Sequence, residues 1–107
     1  MTKRALERNI QSLVDQVVAV AQPQRVILFG SAARGEWRKD SDVDLLVVVP
    51  ETAARNTILD RLNTELDRRQ CPCDVLLTTP SRLERFGRQP GLIYREILRE
   101  GREVYAA

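Results

Sequence analysis

The sequence contains no histidine in its 107 residues, and that absence removes a block of chemistry: serine–histidine triads, imidazole acid–base catalysis and histidine-ligated metal sites. Cysteine is nearly missing. Cys71 and Cys73 flank Pro72, too few and too close for a zinc site or a disulfide staple, so they are expected to be small apolar fillers. Charge of one sign does not dominate: the net charge is +2, and basic and acidic residues interleave, as in Arg82, Glu84, Arg85, Arg95, Glu96, Arg99 and Glu100. That balance argues against an extended nucleic-acid footprint and leaves room for a local phosphate pocket. Long apolar runs are missing too, and no N-terminal segment has the layout of a signal peptide, so no membrane association and a cytoplasmic location are expected. Any catalysis must rest on carboxylates, hydroxyls, arginine, lysine or backbone amides.

What is present suits one compact domain over residues 1–107, with 43% hydrophobic and 30% charged residues. Leu6, Ile10, Leu13, Val14, Val17, Val18 and Ala21 follow one helix face that stops before Pro23. Arg25 to Phe29 and Val43 to Val49 read as strands buried on both faces. Thr52 can cap a second helix carrying Ile58, Leu59, Leu62 and Leu66, and Cys73 to Leu77 reads as a third strand. Ser81 and Glu84 have capping-box spacing for a short helix that breaks at Gly87 to Gly91. A last helix runs from about Leu92 to Glu100, and Arg102 to Tyr105 adds an edge strand. The expected class is α/β (α+β), a small mixed sheet packed with helices.

The chemistry gathers between the first two strands. Gly30-Ser31-Ala32-Ala33-Arg34-Gly35 follows a strand and is rich in small residues, so its amides can approach an anion, with the Ser31 hydroxyl and the Arg34 guanidinium as further phosphate contacts. Alone, these six residues fit a glycine turn with a surface arginine equally well. Ser41-Asp42-Val43-Asp44 changes the balance, because residues two apart in a strand share a side and lie about 6.5–7 Å apart. Asp44 abuts the apolar run that follows it, where an unpaired carboxylate is costly and a divalent cation compensates.

If the first two strands are antiparallel neighbours, Gly30 and Ser31 meet Asp42 and Asp44. The helical crossover then makes the third strand parallel to the second, which returns Asp74 to the same end of the sheet. A carboxylate cluster facing an amide-and-hydroxyl cradle is what in-line nucleotidyl transfer with two metal ions requires. On that reading Asp42 and Asp44 carry Mg²⁺ ions that bind the triphosphate. Asp74 holds the second ion near the attacking hydroxyl and assists its deprotonation, and Ser31 grips a phosphate.

These residues resemble a known family: Gly30-Ser31-Ala32-Ala33-Arg34-Gly35 followed by Ser41-Asp42-Val43-Asp44-Leu45 is similar to the GSxxRG…SDxDL signature of the polymerase-beta-like nucleotidyltransferases. The length and element order are similar to the minimal nucleotidyltransferase (MNT) branch. The resemblance implies that fold, two Mg²⁺ ions on Asp42, Asp44 and Asp74, and ATP or another nucleoside triphosphate held by Gly30, Ser31, Arg34 and Ser41. It also implies pairing with a HEPN-domain toxin, the MNT antitoxin transferring AMP to a toxin tyrosine. A chain with little beyond this core is expected to take its acceptor surface from a partner protein or a second copy of itself.

Two other functions share the motif: nucleotidylation of a small hydroxyl-bearing molecule of the aminoglycoside type, and a non-enzymatic antitoxin that neutralises its partner by contact. Trp37 could stack on a base or a partner. Lys39 and Arg38 could steer a triphosphate, although solvated surface charge fits them as well. Tyr94 and Tyr105 could accept a nucleotide, although core packing is the commoner role for such residues.

Overall fold

A computed structural model describes residues 2–36, 42–69 and 71–107. The first helix, α1 (Lys3–Ala21), begins where the Thr2 hydroxyl accepts the Ala5 N–H at 3.0 Å. It ends at Gln22, whose φ of 47° is left-handed and whose N–H returns to the Val18 carbonyl. Leu6, Ile10, Leu13, Val14, Val17 and Ala21 are buried along one face, as their spacing requires.

The strands β1 (Arg25–Phe29), β2 (Val43–Val48), β3 (Cys73–Thr78) and β4 (Arg102–Ala106) form one sheet in the order β3-β2-β1-β4. β1 is antiparallel to β2 and β4, and β2 is parallel to β3, so the sheet is mixed and the fold α+β. The helix α2 (Arg55–Glu65) supplies the crossover between the parallel pair.

Alternation along the strands divides the core. Val26, Leu28, Val43, Leu45 and Val47 face α1 and α2 in the larger cluster. Ile27, Leu46 and Val48 face Leu83 of α3 (Pro80–Gly87) and Ile97 of α4 (Ile93–Glu100) on the other side. The strands at the centre are thus covered on both faces, which explains their nearly continuous apolar sequences.

Two local expectations are corrected. Thr52 does not cap α2; the helix starts after Ala54 with no side-chain cap, and Glu51 to Ala53 form a turn closed by the Ala53 N–H on the Pro50 carbonyl. Ser81 is not the cap of α3 either. Thr79 takes that position with Pro80 opening the helix, a place where a missing N–H costs nothing. The Ser81 N–H instead donates across the fold to Glu51 Oε1 at 2.7 Å. Boundaries shift slightly elsewhere: β2 ends at Val48, and α4 begins at Ile93. Tyr94 stacks on Phe86 with centroids 6.2 Å apart, and Tyr105 packs against the larger core, so both serve as packing residues. No described helix is long and apolar enough to cross a membrane.

Candidate active site

The end of β1 turns into a compact loop because Gly30 adopts a φ of +75°, open to glycine at little cost. Arg34 N–H donates to the Gly30 carbonyl at 3.2 Å, Gly35 N–H to Ala32 at 3.4 Å and Glu36 N–H to Ser31 at 3.0 Å. The loop therefore closes as one helical turn. The N–H groups of Ser31, Ala32 and Ala33 at its start have no acceptor among the described residues. Three successive amides without an acceptor among the described residues, at the opening of a turn, are groups that can receive an anion.

Strand register sets what faces this cradle. Phe29 pairs with Asp44, and Asp44 pairs with Asp74, so the loop after β1 and the two aspartates stand side by side at one end of the sheet. Gly30 is pressed against Asp44 so closely that a β-carbon there would overlap Asp44 Oδ2. Asp44 is half-buried, whereas Asp42 and Asp74 are exposed. Burial pushes the Asp44 carboxyl above its usual range; repulsion from Asp74 and then Asp42 adds to the shift, and Arg34 opposes it. The strand directions are those the topology argument expects, and they bring Asp74 and Asp42 near enough to Asp44 to raise its carboxyl.

Among the described residues, no three acidic or cysteine side chains close around one point, so the aspartates form a convergent set and not a preformed cage. Their donor chemistry fits a hard divalent cation. Mg²⁺ is commonly held by one or two carboxylates, with substrate phosphates and water completing the shell. The crowding of like charge at Asp44 is the observation that a bound cation would relieve.

Arg34 stands beside the cradle with carboxylate partners of its own. Its Nε donates to Glu36 Oε2 at 3.1 Å, and Nη1 lies 3.6 Å from Glu100 Oε2 on α4. The guanidinium is already engaged by carboxylates beside the cradle. Glu96 and Glu100 line a cavity of about 190 Å³ with Phe29, Gly30, Arg34, Ile93 and Ile97. Sequence spacing puts Glu96 and Glu100 on one face of α4, but nothing in it says that this face meets the loop. Ser41, Trp37, Arg38 and Lys39 lie outside the described residues.

On the other flank, Asp44 and Asp74 open onto a cleft of about 660 Å³ whose walls include Asn63, Arg68, Leu76 and Ile93. Cys73 and Cys71 are buried free thiols. Burial pushes the Cys73 thiol up to about 12, which makes it inert as a nucleophile.

Comparison with known proteins agrees with this fold. The family described as nucleotidyltransferase domain matches residues 8–104. A Methanocaldococcus jannaschii protein, provisionally assigned as a protein adenylyltransferase, is 63% identical over 27 residues. That match covers 25% of this chain and spans only 27% of the relative. The crystal structure of a provisionally assigned nucleotidyltransferase from Sulfolobus solfataricus superposes with a TM-score of 0.58 at 21% identity, covering 99% of this chain and 90% of the other. A chain from a toxin–antitoxin crystal structure with AMP-PNP gives a TM-score of 0.51 at 23% identity, covering 94% of this chain and 73% of the other. At these identities the two structures speak to the fold.

Proposed function

Because the chain belongs to the nucleotidyltransferase domain family, we propose that it transfers AMP, or another nucleoside monophosphate, from a nucleoside triphosphate to a hydroxyl on a partner protein. The observation that carries this reading is the register Phe29–Asp44–Asp74, which sets the amides after Gly30 beside the carboxylates. Binding and reacting groups for a nucleotide then stand at one sheet end. A toxin as the partner, with a HEPN-domain tyrosine as acceptor, is supported by the family resemblance and by the toxin–antitoxin neighbour. The short adenylyltransferase match supports AMP as the transferred group.

On this reading the amides of Ser31, Ala32 and Ala33, with the Ser31 hydroxyl, bind and orient the triphosphate. Arg34 reaches a phosphate by exchanging one of its carboxylate partners. Asp42, Asp44 and Asp74 would hold Mg²⁺, which supplies neutralisation of phosphate charge. The acceptor oxygen forms a bond to the α-phosphorus while the bond from that phosphorus to the bridging oxygen breaks, and pyrophosphate leaves with the electron pair. Asp74, exposed at the acceptor flank, receives the hydroxyl proton. The domain comprises residues 1–107, and Ser41 joins the phosphate contacts.

Intact-mass measurement after mixing the protein with ATP, Mg²⁺ and the product of its neighbouring gene tests the reading. One nucleotide of added mass on the partner is expected, lost in Asp42→Asn and Asp44→Asn. If neither protein gains mass, or if both variants neutralise the partner as well as the parent does, transfer is not the function.

A further inference from the structure

The strand β3 lies at one side of the sheet, next to the carboxylates, and no strand pairs with its outer edge among the described residues. Val43 N–H donates to the Pro72 carbonyl and Val49 N–H to the Thr78 carbonyl, each at 2.9 Å. Even-numbered residues from 72 to 78 therefore turn their backbone groups toward β2, and by the two-residue period Cys73, Val75 and Leu77 turn theirs outward. The outward carbonyl of Cys73 is taken by Arg68 Nε at 3.0 Å, while the outward groups of Val75 and Leu77 have no partner among the described residues.

Arg68 marks the end of this edge. Its Nη1 also donates to the Asn63 carbonyl at 3.2 Å, so two backbone acceptors fix the half-buried guanidinium. Arg25, Arg34, Arg61 and Arg69 are each paired with carboxylates, but Arg68 has none within salt-bridge range among the described residues. Three of its five N–H donors are unspent, and it lines the same cleft as Asp44 and Asp74. On the floor of that cleft, Leu76 is 37% exposed, and Ile93 on the facing helix is 49% exposed.

We propose that the acceptor protein docks as an extended acidic segment along the outer edge of β3, its backbone pairing with Val75 and Leu77 and a carboxylate seated on Arg68. This rests on the transferase reading for its chemistry. A strand added there lies about 4.8 Å from β3, and its alternate side chains share the face of Asp74 and Leu76. A hydroxyl side chain at such a position stands beside Asp74. The seat for a carboxylate is Arg68 alone: it lines the cleft with donors to spare, whereas Asp44 and Asp74 repel a carboxylate placed anywhere else along it.

The test uses the full chain and fluorescent hexapeptides containing one tyrosine flanked by Glu, Gln or Lys. In anisotropy titrations the Glu peptide is expected to bind about tenfold more tightly than the Lys peptide, the scale of one charge-assisted pair. Arg68→Glu reverses that order, and Arg68→Gln levels it. Amide exchange at Val75 and Leu77 slows when the Glu peptide is bound. Equal affinities, an unchanged order in Arg68→Glu or unprotected amides at both positions overturn the proposal. So does displacement of the peptide by AMP-PNP with Mg²⁺, which would assign Arg68 to the nucleotide. Protection that grows with protein concentration alone would assign the edge to a second copy, with the same result. If the substitutions prevent folding, seen by circular dichroism, the peptide order and amide protection in the parent protein still decide. With ATP and Mg²⁺ then added to the peptide mixtures, charge-dependent docking without any nucleotidyl-tyrosine mass overturns the transferase reading while the docking edge stands.

Discussion

Gly30 combines two demands that no other residue meets: a positive φ, and a backbone in contact with the Asp44 carboxylate. Gly30→Ala is expected to cost about 1–2 kcal/mol for the left-handed backbone alone, with a further loss from displacing Asp44. Thermal unfolding and nucleotide binding should both report it, the second more strongly. Asp44 shows the opposite trade. Its carboxyl titrates above the ordinary 3.8, first through burial and then through Asp74, so the stability linked to its neutral form is full below pH 4 and disappears as pH rises through the folded value. Asp44→Asn should therefore melt higher than the parent at pH 7 in chelator while losing transfer, as residues kept for function often do. A parent that melts higher than the variant would refute this. Asp67 runs the other way. Hydrogen bonds from the Arg69 side chain and backbone lower its carboxyl from 3.8 to about 2. Its contribution is present above pH 4 and fades as pH falls toward 2, so Asp67→Asn should flatten the acid limb of a circular-dichroism titration in that window.

Among the elements, α4 carries the least secured part of the site. It is an eight-residue helix with a single buried residue, Ile97, which packs on Ile27, Leu46 and Val48. Ile97→Ala is expected to cost about 2–5 kcal/mol in urea unfolding, and by releasing α4 it should free Arg34 from Glu100. At the helix end, Gly101 has no room for a β-carbon, which would sit 2.6 Å from Ile27 Cγ2, so the passage into β4 depends on a missing side chain. Helix and strand identities were legible because apolar residues repeat at 3.6 or run unbroken between turn signals. Caps were not legible at the same level. Thr52 and Ser81 are good capping residues by composition, yet Glu51 binds the Ser81 N–H across 30 residues of sequence, and a local pattern carries no information about that contact.

For the whole molecule, ligand linkage gives the simplest test of the site. AMP-PNP with Mg²⁺ should stabilise the protein by about 2.7 kcal/mol at a hundredfold excess over its dissociation constant. Chelator should remove most of this, and Asp44→Asn should show little of it in calorimetry. Near-neighbour chemistry in the sequence is enough for the helix faces, the buried strands, the glycine turn and the two-residue spacing of Asp42 and Asp44. It also carried the parallel return of the third strand that brings Asp74 back to that end, whereas the antiparallel pairing of the first two strands was only a condition until the sheet showed it. Tertiary structure alone decided which surfaces meet across the sheet. It brought Glu100 to Arg34, laid Arg68 over the Cys73 carbonyl and, among the described residues, left Val75 and Leu77 on the outer edge of β3 without partners. The physical reason is range: periodicity and turn chemistry act over a few residues, whereas these contacts join positions whose separation only the packed core fixes.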